Sequence, residues 1–250
     1  GVRLVKLRER NIDKMDLTAI GMDPYLIPGT DVLQNKLGIT DGEQLKEMDK
    51  KISLERLYEL RTDALGCFQK EGLITDDSIT FGPEHLKRIH YYLFHDVYPF
   101  AGEYRTMDIV AKGRHPAPAD YIIKFMTHYD IEMELSMTLS NMARTLPYKQ
   151  FSDKDAYADW LANYFERTIY IHPFREGNGR SIKEYFTEFV EYNNDKLQLP
   201  DVELRWDRMD ADVLSNITYQ MTVDEDCVKK QFRKGIVYQD QKENHSSNQM

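Results

Sequence analysis

The 250 residues are 41 % hydrophobic and 12 % aromatic, enough for one well-buried core, with no second domain required. A formal net charge of −9 argues against wrapping nucleic acid or lying on an anionic membrane, since both reward clustered Lys and Arg. No stretch approaches the roughly 20 apolar residues that span a bilayer, the opening GVRLVKLRER lacks a signal-like apolar run, and Cys67 and Cys227 suit free thiols, so the expected setting is cytoplasmic.

In chain order, residues 1–22 are mixed and charged and are expected to be an N-terminal extension to a domain covering 23–238. A Pro/Gly-punctuated loop follows at Asp23-Pro24-Tyr25-Leu26-Ile27-Pro28-Gly29-Thr30, and residues 32–39 read as a short helix closed by Gly38. Asp41 opens a longer helix in which Leu45, Met48, Ile52, Leu57 and Leu60 are spaced to face a core. Residues 71–82 form a loop, and Gly82-Pro83 starts the next helix, with Leu86, Ile89, His90, Leu93 and Phe94 inward. His85, His90 and His95 are five apart and so point about 140° away from one another in turn, which excludes convergence on a metal. They read as structural or surface residues.

Residues 106–121 change character. Met107, Ile109 and Val110 are strand-like and Lys112-Gly113-Arg114 turns, giving a short hairpin whose returning strand Pro116 and Pro118 would make a poor ladder partner. The spacing then predicts one long helix over 121–145, with Ile122, Phe125, Met126, Tyr129, Met133, Leu135 and Leu139 inward, broken at Leu146-Pro147-Tyr148. Two further helices are expected over 152–170 and 181–192, then, beyond Pro200 and Trp206, over 210–222 and 224–234. Residues 239–250 are polar and expected to be a disordered tail. The pattern is all-α, a helical bundle with one small β-hairpin.

Between the helices over 152–170 and 181–192 lies His172-Pro173-Phe174-Arg175-Glu176-Gly177-Asn178-Gly179-Arg180. Taken singly its parts are ordinary: Gly-Asn-Gly is a turn, a lone His is usually on the surface, and Glu176 and Arg180 could pair four positions apart. Taken together they fit a phosphate pocket. Gly177, Asn178 and Gly179 would bring bare amides to a helix start, Arg180 a planar cation, Glu176 a ligand for a divalent cation, and His172 a base. Phe174 is expected to anchor the loop in the core.

These nine residues resemble, without departure, the Fic-domain signature His-Pro-Phe-x-(Asp/Glu)-Gly-Asn-Gly-Arg. The stretches Tyr25-x-x-Pro28-Gly29-Thr30…Leu33-x-Asn35-Lys36-x-Gly38-Ile39 and His90 through Arg105 are similar to Fic proteins as well. The resemblance implies transfer of AMP from ATP, with Mg²⁺ at Glu176, to a Ser, Thr or Tyr hydroxyl of a target protein, with His172 as catalytic base and neither nucleic acid nor membrane as partner. It makes the hairpin, including Ile109, Val110, Lys112 and Gly113, the flap that positions the target. The family's extended pattern has a second Arg three residues after the first, contacting the γ-phosphate. Here it is Lys183, which keeps the charge but loses the bidentate fork.

The family's inhibitory (Ser/Thr)-x-x-x-Glu-(Gly/Asn) helix is not found in these residues. Thr80…Glu84 is followed by His85, and Thr187…Glu191 by Tyr192 on the motif helix itself. The chain thus resembles Fic toxins silenced by a separate antitoxin protein. Two other readings stand beside this one: another nucleotidyl or phosphate transfer on the same fold, and a binding module without turnover, which would have no need of His172.

Overall fold

The Asp41 carboxylate accepts the Gln44 amide at 2.8 Å and so caps α1 (Gly42–Lys70) where the sequence predicts a helix start. The computed structural model describes residues 23–239. The expected extension 1–22 and the tail beyond Gln239 lie outside the described residues. Gln239 itself is still tied to the end of the fold, its amide donating to the Asp201 carbonyl at 2.9 Å. Along α1, Leu45 and Leu60 are buried as expected, but the stripe between them is Asp49 and Ser53. Met48, Ile52 and Leu57 are half-buried at its flank. Polar side chains in the middle of a core face mark the place where the helix meets something other than core.

The centre of the bundle is α5 (Lys154–Ile171), capped by Asp153, and α6 (Asn178–Glu191), joined by the nine-residue motif. Tyr157, Leu161 and Phe165 from the first pack with Ile182, Tyr185, Phe186 and Phe189 from the second, all buried. α2 (Pro83–Phe94) covers one side of α6 and α9 (Cys227–Gly235) one side of α5, with Phe165 and Phe232 ring centroids 5.0 Å apart. One hydrophobic cluster runs through these elements from Val32 to Ile236. The fold is mainly helical, and among the described residues no helix is long and apolar enough to cross a membrane.

Four expectations need correction. Residues 32–39 are not helical: Leu26 and Leu33 form an isolated bridge, and the Asn35 side chain satisfies both the carbonyl and the amide of Ile39, closing a turn in place of a helix. The long helix predicted over 121–145 begins ten residues later. Ile122 and Ile123 belong to β2 (Ile122–Lys124), antiparallel to β1 (Val110–Lys112), because the β-branched pair fits a half-buried strand and the two prolines fall in the connection before it. Helix resumes as α3 (Ile131–Leu135) and α4 (Asn141–Thr145), joined by a π-helical turn at Ser136–Ser140, and Tyr129 and Met133 are exposed. The helix expected over 210–222 is two pieces, α7 (Ala211–Ser215) and α8 (Ile217–Val223), parted at Asn216. Finally, β3 (Val202–Leu204) and β4 (Ile236–Tyr238) pair antiparallel across the 31 residues between them, which local periodicity does not signal.

Candidate active site

His172 ends α5 in the left-handed region, with φ 49°. That turn swings the chain away from the helix axis and lays the imidazole flat on Phe125, ring centroids 3.7 Å apart and planes 12° from parallel. Its Nδ1 lies 3.2 Å from the Ile169 carbonyl, which can only accept, so Nδ1 carries the proton and Nε2 keeps its lone pair. Burial against Phe125, with the Arg105 charge adding and the Ile169 bond opposing, lowers the ring from the usual 6.5 to about 4. At neutral pH it is an unprotonated base.

The loop after His172 is held at nearly every residue. The Arg105 backbone N–H donates to the Pro173 carbonyl at 2.8 Å. Its buried guanidinium donates to the carbonyls of His172 (2.8 Å), Ile171 (3.2 Å), Met107 (2.7 Å) and Met126. His90 stacks on Phe174 at 3.8 Å and donates Nε2–H to the Glu176 carbonyl at 2.9 Å, while its Nδ1 accepts the Gly102 amide at 2.8 Å. Burial lowers His90 to about 3, so it serves as a neutral donor–acceptor bracket. Asn178 accepts the Phe174 amide at 2.8 Å and returns a bond to the Phe174 carbonyl at 2.7 Å. Gly177 sits at φ 77°, and a Cβ there would come within 2.4 Å of the Phe94 ring.

Two cavities open on this loop. The first, about 540 Å³, lies between it and α1 and is lined by Glu176 and Arg180 together with Asp49, Lys46 and Lys50. The second, about 380 Å³, lies under the hairpin and is lined by His172, Glu176, Gly179, Ile109, Val110 and Lys112, among others. The arrangement therefore unites the expected base, the expected cation ligand, the open glycine of α6 and most of the expected hairpin residues. Gly113 turns the hairpin, donating to the Tyr121 carbonyl at 2.7 Å. The first amides of α6, from Asn178 onward, have no partners within the helix and point to this end. Glu176 is the one carboxylate on the hairpin cavity, half-exposed, with its Oε1 held by the Gly177 amide at 3.0 Å. A single hard-oxygen ligand of this kind fits a divalent cation that takes its other ligands from phosphate and water.

Three expected nucleotide contacts look different in place. The Asn178 side chain is spent on closing the loop, leaving only its backbone for a ligand. Arg180 is gripped by Asp49 through two bonds of 2.8 and 3.0 Å, over the Phe94 ring at 4.6 Å. Asp49 also accepts the Tyr98 hydroxyl at 3.0 Å, and Ser53 joins the same guanidinium. Lys183 lines neither cavity. Its Nζ lies 5.5 Å over the Trp206 ring, and burial followed by the nearby Arg61 charge lowers its pKa. Sequence reasoning missed Arg105, His90, Asp49 and Ser53 as supports of the site. The signals available were the polar residues breaking the apolar stripe of α1 and the Fic-like run from His90 to Arg105.

A sequence model of the Fic/DOC family matches residues 79–189. Protein adenylyltransferase VbhT of Bartonella schoenbuchensis is 28 % identical over 204 residues, covering 79 % of this chain and 35 % of that protein. This chain thus spans about a third of VbhT. The probable protein adenylyltransferase Fic of Escherichia coli is 26 % identical over 183 residues, covering 73 % of this chain and 80 % of that one. Among solved structures, BepC of Bartonella tribocorum with bound AMPPNP superposes with a TM-score of 0.66 at 21 % identity, over 86 % of this chain and 97 % of the other.

Proposed function

We propose that this chain, which a Fic/DOC family model matches over residues 79–189, is a protein adenylyltransferase, moving AMP from ATP to a Ser, Thr or Tyr hydroxyl of a target protein. One observation carries the reading: a neutral imidazole, a half-exposed carboxylate and the open start of α6 share one cavity wall, which is what attack on a phosphate needs. The acceptor hydroxyl attacks the α-phosphorus, its proton passes to His172 Nε2, and the bond to the β-phosphate breaks, releasing pyrophosphate. The triphosphate's negative charge raises the His172 pKa from its low resting value toward neutrality, strengthening the base once substrate is bound. The open amides at the start of α6, those of Asn178 and Gly179, hold the equatorial oxygens. Mg²⁺ at Glu176 would neutralise charge on the phosphates.

The relatives' names support this reading, as does the AMPPNP-bound neighbour of the same fold. We assign residues 23–238 to one functional unit acting in the cytoplasm, with a separate antitoxin protein as its restraint and the hairpin residues Ile109, Val110, Lys112 and Gly113 positioning the target. The antitoxin is supported by the lack of the inhibitory helix motif within these 250 residues, and the absence of nucleic acid or membrane among its partners by their −9 charge.

The test is incubation of the purified chain with α-labelled ATP, Mg²⁺ and cell lysate, beside the Glu176→Ala variant. Label transferred to protein by the parent, and lost with Glu176→Ala, is the expected result. No labelled band with α-label, or equal labelling from γ-labelled ATP, would exclude AMP transfer.

A further inference from the structure

The two cavities meet at two residues that line both of them, Glu176 and Arg114. Glu176 has an assigned role; Arg114 has none. It follows the hairpin turn, and its exposed guanidinium forms no hydrogen bond or ion pair with the described residues. Its backbone, by contrast, is fixed. The Arg114 amide donates to Asn216 Oδ1 at 2.8 Å, and Asn216 Nδ2 donates to the His115 carbonyl at 3.1 Å. Asn216 is fully buried at the break between α7 and α8, where its amide would be costly to leave unpaired. A free cation is thus held at a fixed place by a buried bracket.

The walls of the two cavities differ. The hairpin side offers Ile123, Phe125, Leu214 and Ile217, a surface suited to a base and sugar. The α1 side carries Lys46, Lys50, Arg114 and Arg180 against Asp31, Asp49 and Glu176, four cations to three carboxylates, in a chain of net charge −9. A nucleotide triphosphate with its base under the hairpin runs its phosphate chain through the junction toward α1. Of the guanidinium groups at hand, Arg180 is held by Asp49 and Arg175 by Asp23 at 3.0 Å, and Lys183 lies against the face of Trp206, so Arg114 is the guanidinium at the junction without a partner among the described residues, beside the ammonium groups of Lys46 and Lys50.

Resting on the adenylyltransferase reading, we propose that Arg114 binds the β- and γ-phosphates of ATP at this junction, in the role the sequence pattern would give to position 183, and that Asn216 is its positioning residue. A guanidinium can take two phosphate oxygens at once, which fixes the orientation of the leaving pyrophosphate as an ammonium does not.

Calorimetric titration of ATP, ADP and AMP into the parent, Arg114→Ala, Arg114→Lys, Asn216→Ala and the double variant tests this. Arg114→Ala should weaken ATP about tenfold or more and AMP by less than about twofold, the loss expected for one charge-assisted contact. Arg114→Lys should fall between. Asn216→Ala should show the same ATP-selective loss, and the double variant should bind no worse than Arg114→Ala, because Asn216 acts through Arg114. Parent-like ATP affinity in Arg114→Ala, or equal losses for ATP and AMP, overturns the inference while leaving the adenylyltransferase reading intact. A parent that binds no ATP overturns that reading first.

Discussion

The loop 172–177 and the hairpin strands face each other across one cavity, yet they are held in opposite ways. The loop is tied from inside, by Arg105, His90 and Asn178, each spending buried polar groups on backbone atoms. The hairpin has three register pairs, Val110↔Lys124, Ala111↔Ile123 and Lys112↔Ile122, and Val110 is 61 % exposed. Chemistry needs groups placed within tenths of an ångström, and the loop has that placement built in. Among the described residues no third strand pairs with the hairpin.

The contrast can be broken most decisively at His172. His172→Ala should slow labelling of the target by about 10²–10⁴-fold while ATP affinity stays near the parent's, since the base acts on the acceptor. Labelling within a few-fold of the parent would remove His172 from the mechanism. Next in size is Arg105→Ala, which strips donors from four carbonyls at once, those of Ile171 and Met126 buried. A loss of about 3 kcal/mol or more, lowering Tm by roughly 10 °C, is expected in a thermal melt. Val110→Ala on the hairpin, in the same melt, should stay within about 0.5 kcal/mol of the parent. Equal effects would mean that the two regions are held alike.

The acid limb of the rate sharpens the picture of the loop. A lowered His172 stays neutral as pH falls past 6.5 and is lost as a base only as pH nears about 4. The kcat/KM for ATP, which reports the free enzyme, should therefore hold from pH 7 to about 5.5. A limb centred near 6.5 would mean that the imidazole is more open to water than the Phe125 stack allows. The smallest effect is expected from Lys183→Arg. The family pattern alone suggests faster transfer, but a side chain over Trp206 and outside both cavities should change labelling by less than about twofold.

Much of this site could be read from the sequence because its reacting groups are consecutive. His172 through Arg180 needs only a helix on either side to become a pocket, and both helices carry clear 3.6-residue periods. What escaped notice depends on distant partners. Asp49 looks like a flaw in an amphipathic helix until Arg180, 131 residues away, is seen against it. Arg105 looks like a surface charge until its guanidinium meets the carbonyl of His172, 67 residues on. Residues 121–145 misled for a different reason. Apolar positions at Ile122, Phe125, Met126 and Tyr129 fit a helix, yet Ile122 and Ile123 are used by a strand and Tyr129 faces water.

The Arg105 cluster also bears on when the candidate site assembles. Its carbonyl partners at Met126, Ile171 and His172 lie 21, 66 and 67 residues away, and His90 reaches 86 residues ahead to Glu176, so these ties close long stretches of chain. Closing such stretches is slow and yields nothing until the last segment arrives. The helices can form early, but the catalytic turn at His172 has no local reason to adopt its left-handed shape. In pulse-labelled hydrogen exchange during refolding, the amides of α5 should gain protection before those of Phe174 and Gly177. A ribosome still synthesising α6 would carry a folded-looking nascent chain in which the turn at His172 is not yet held.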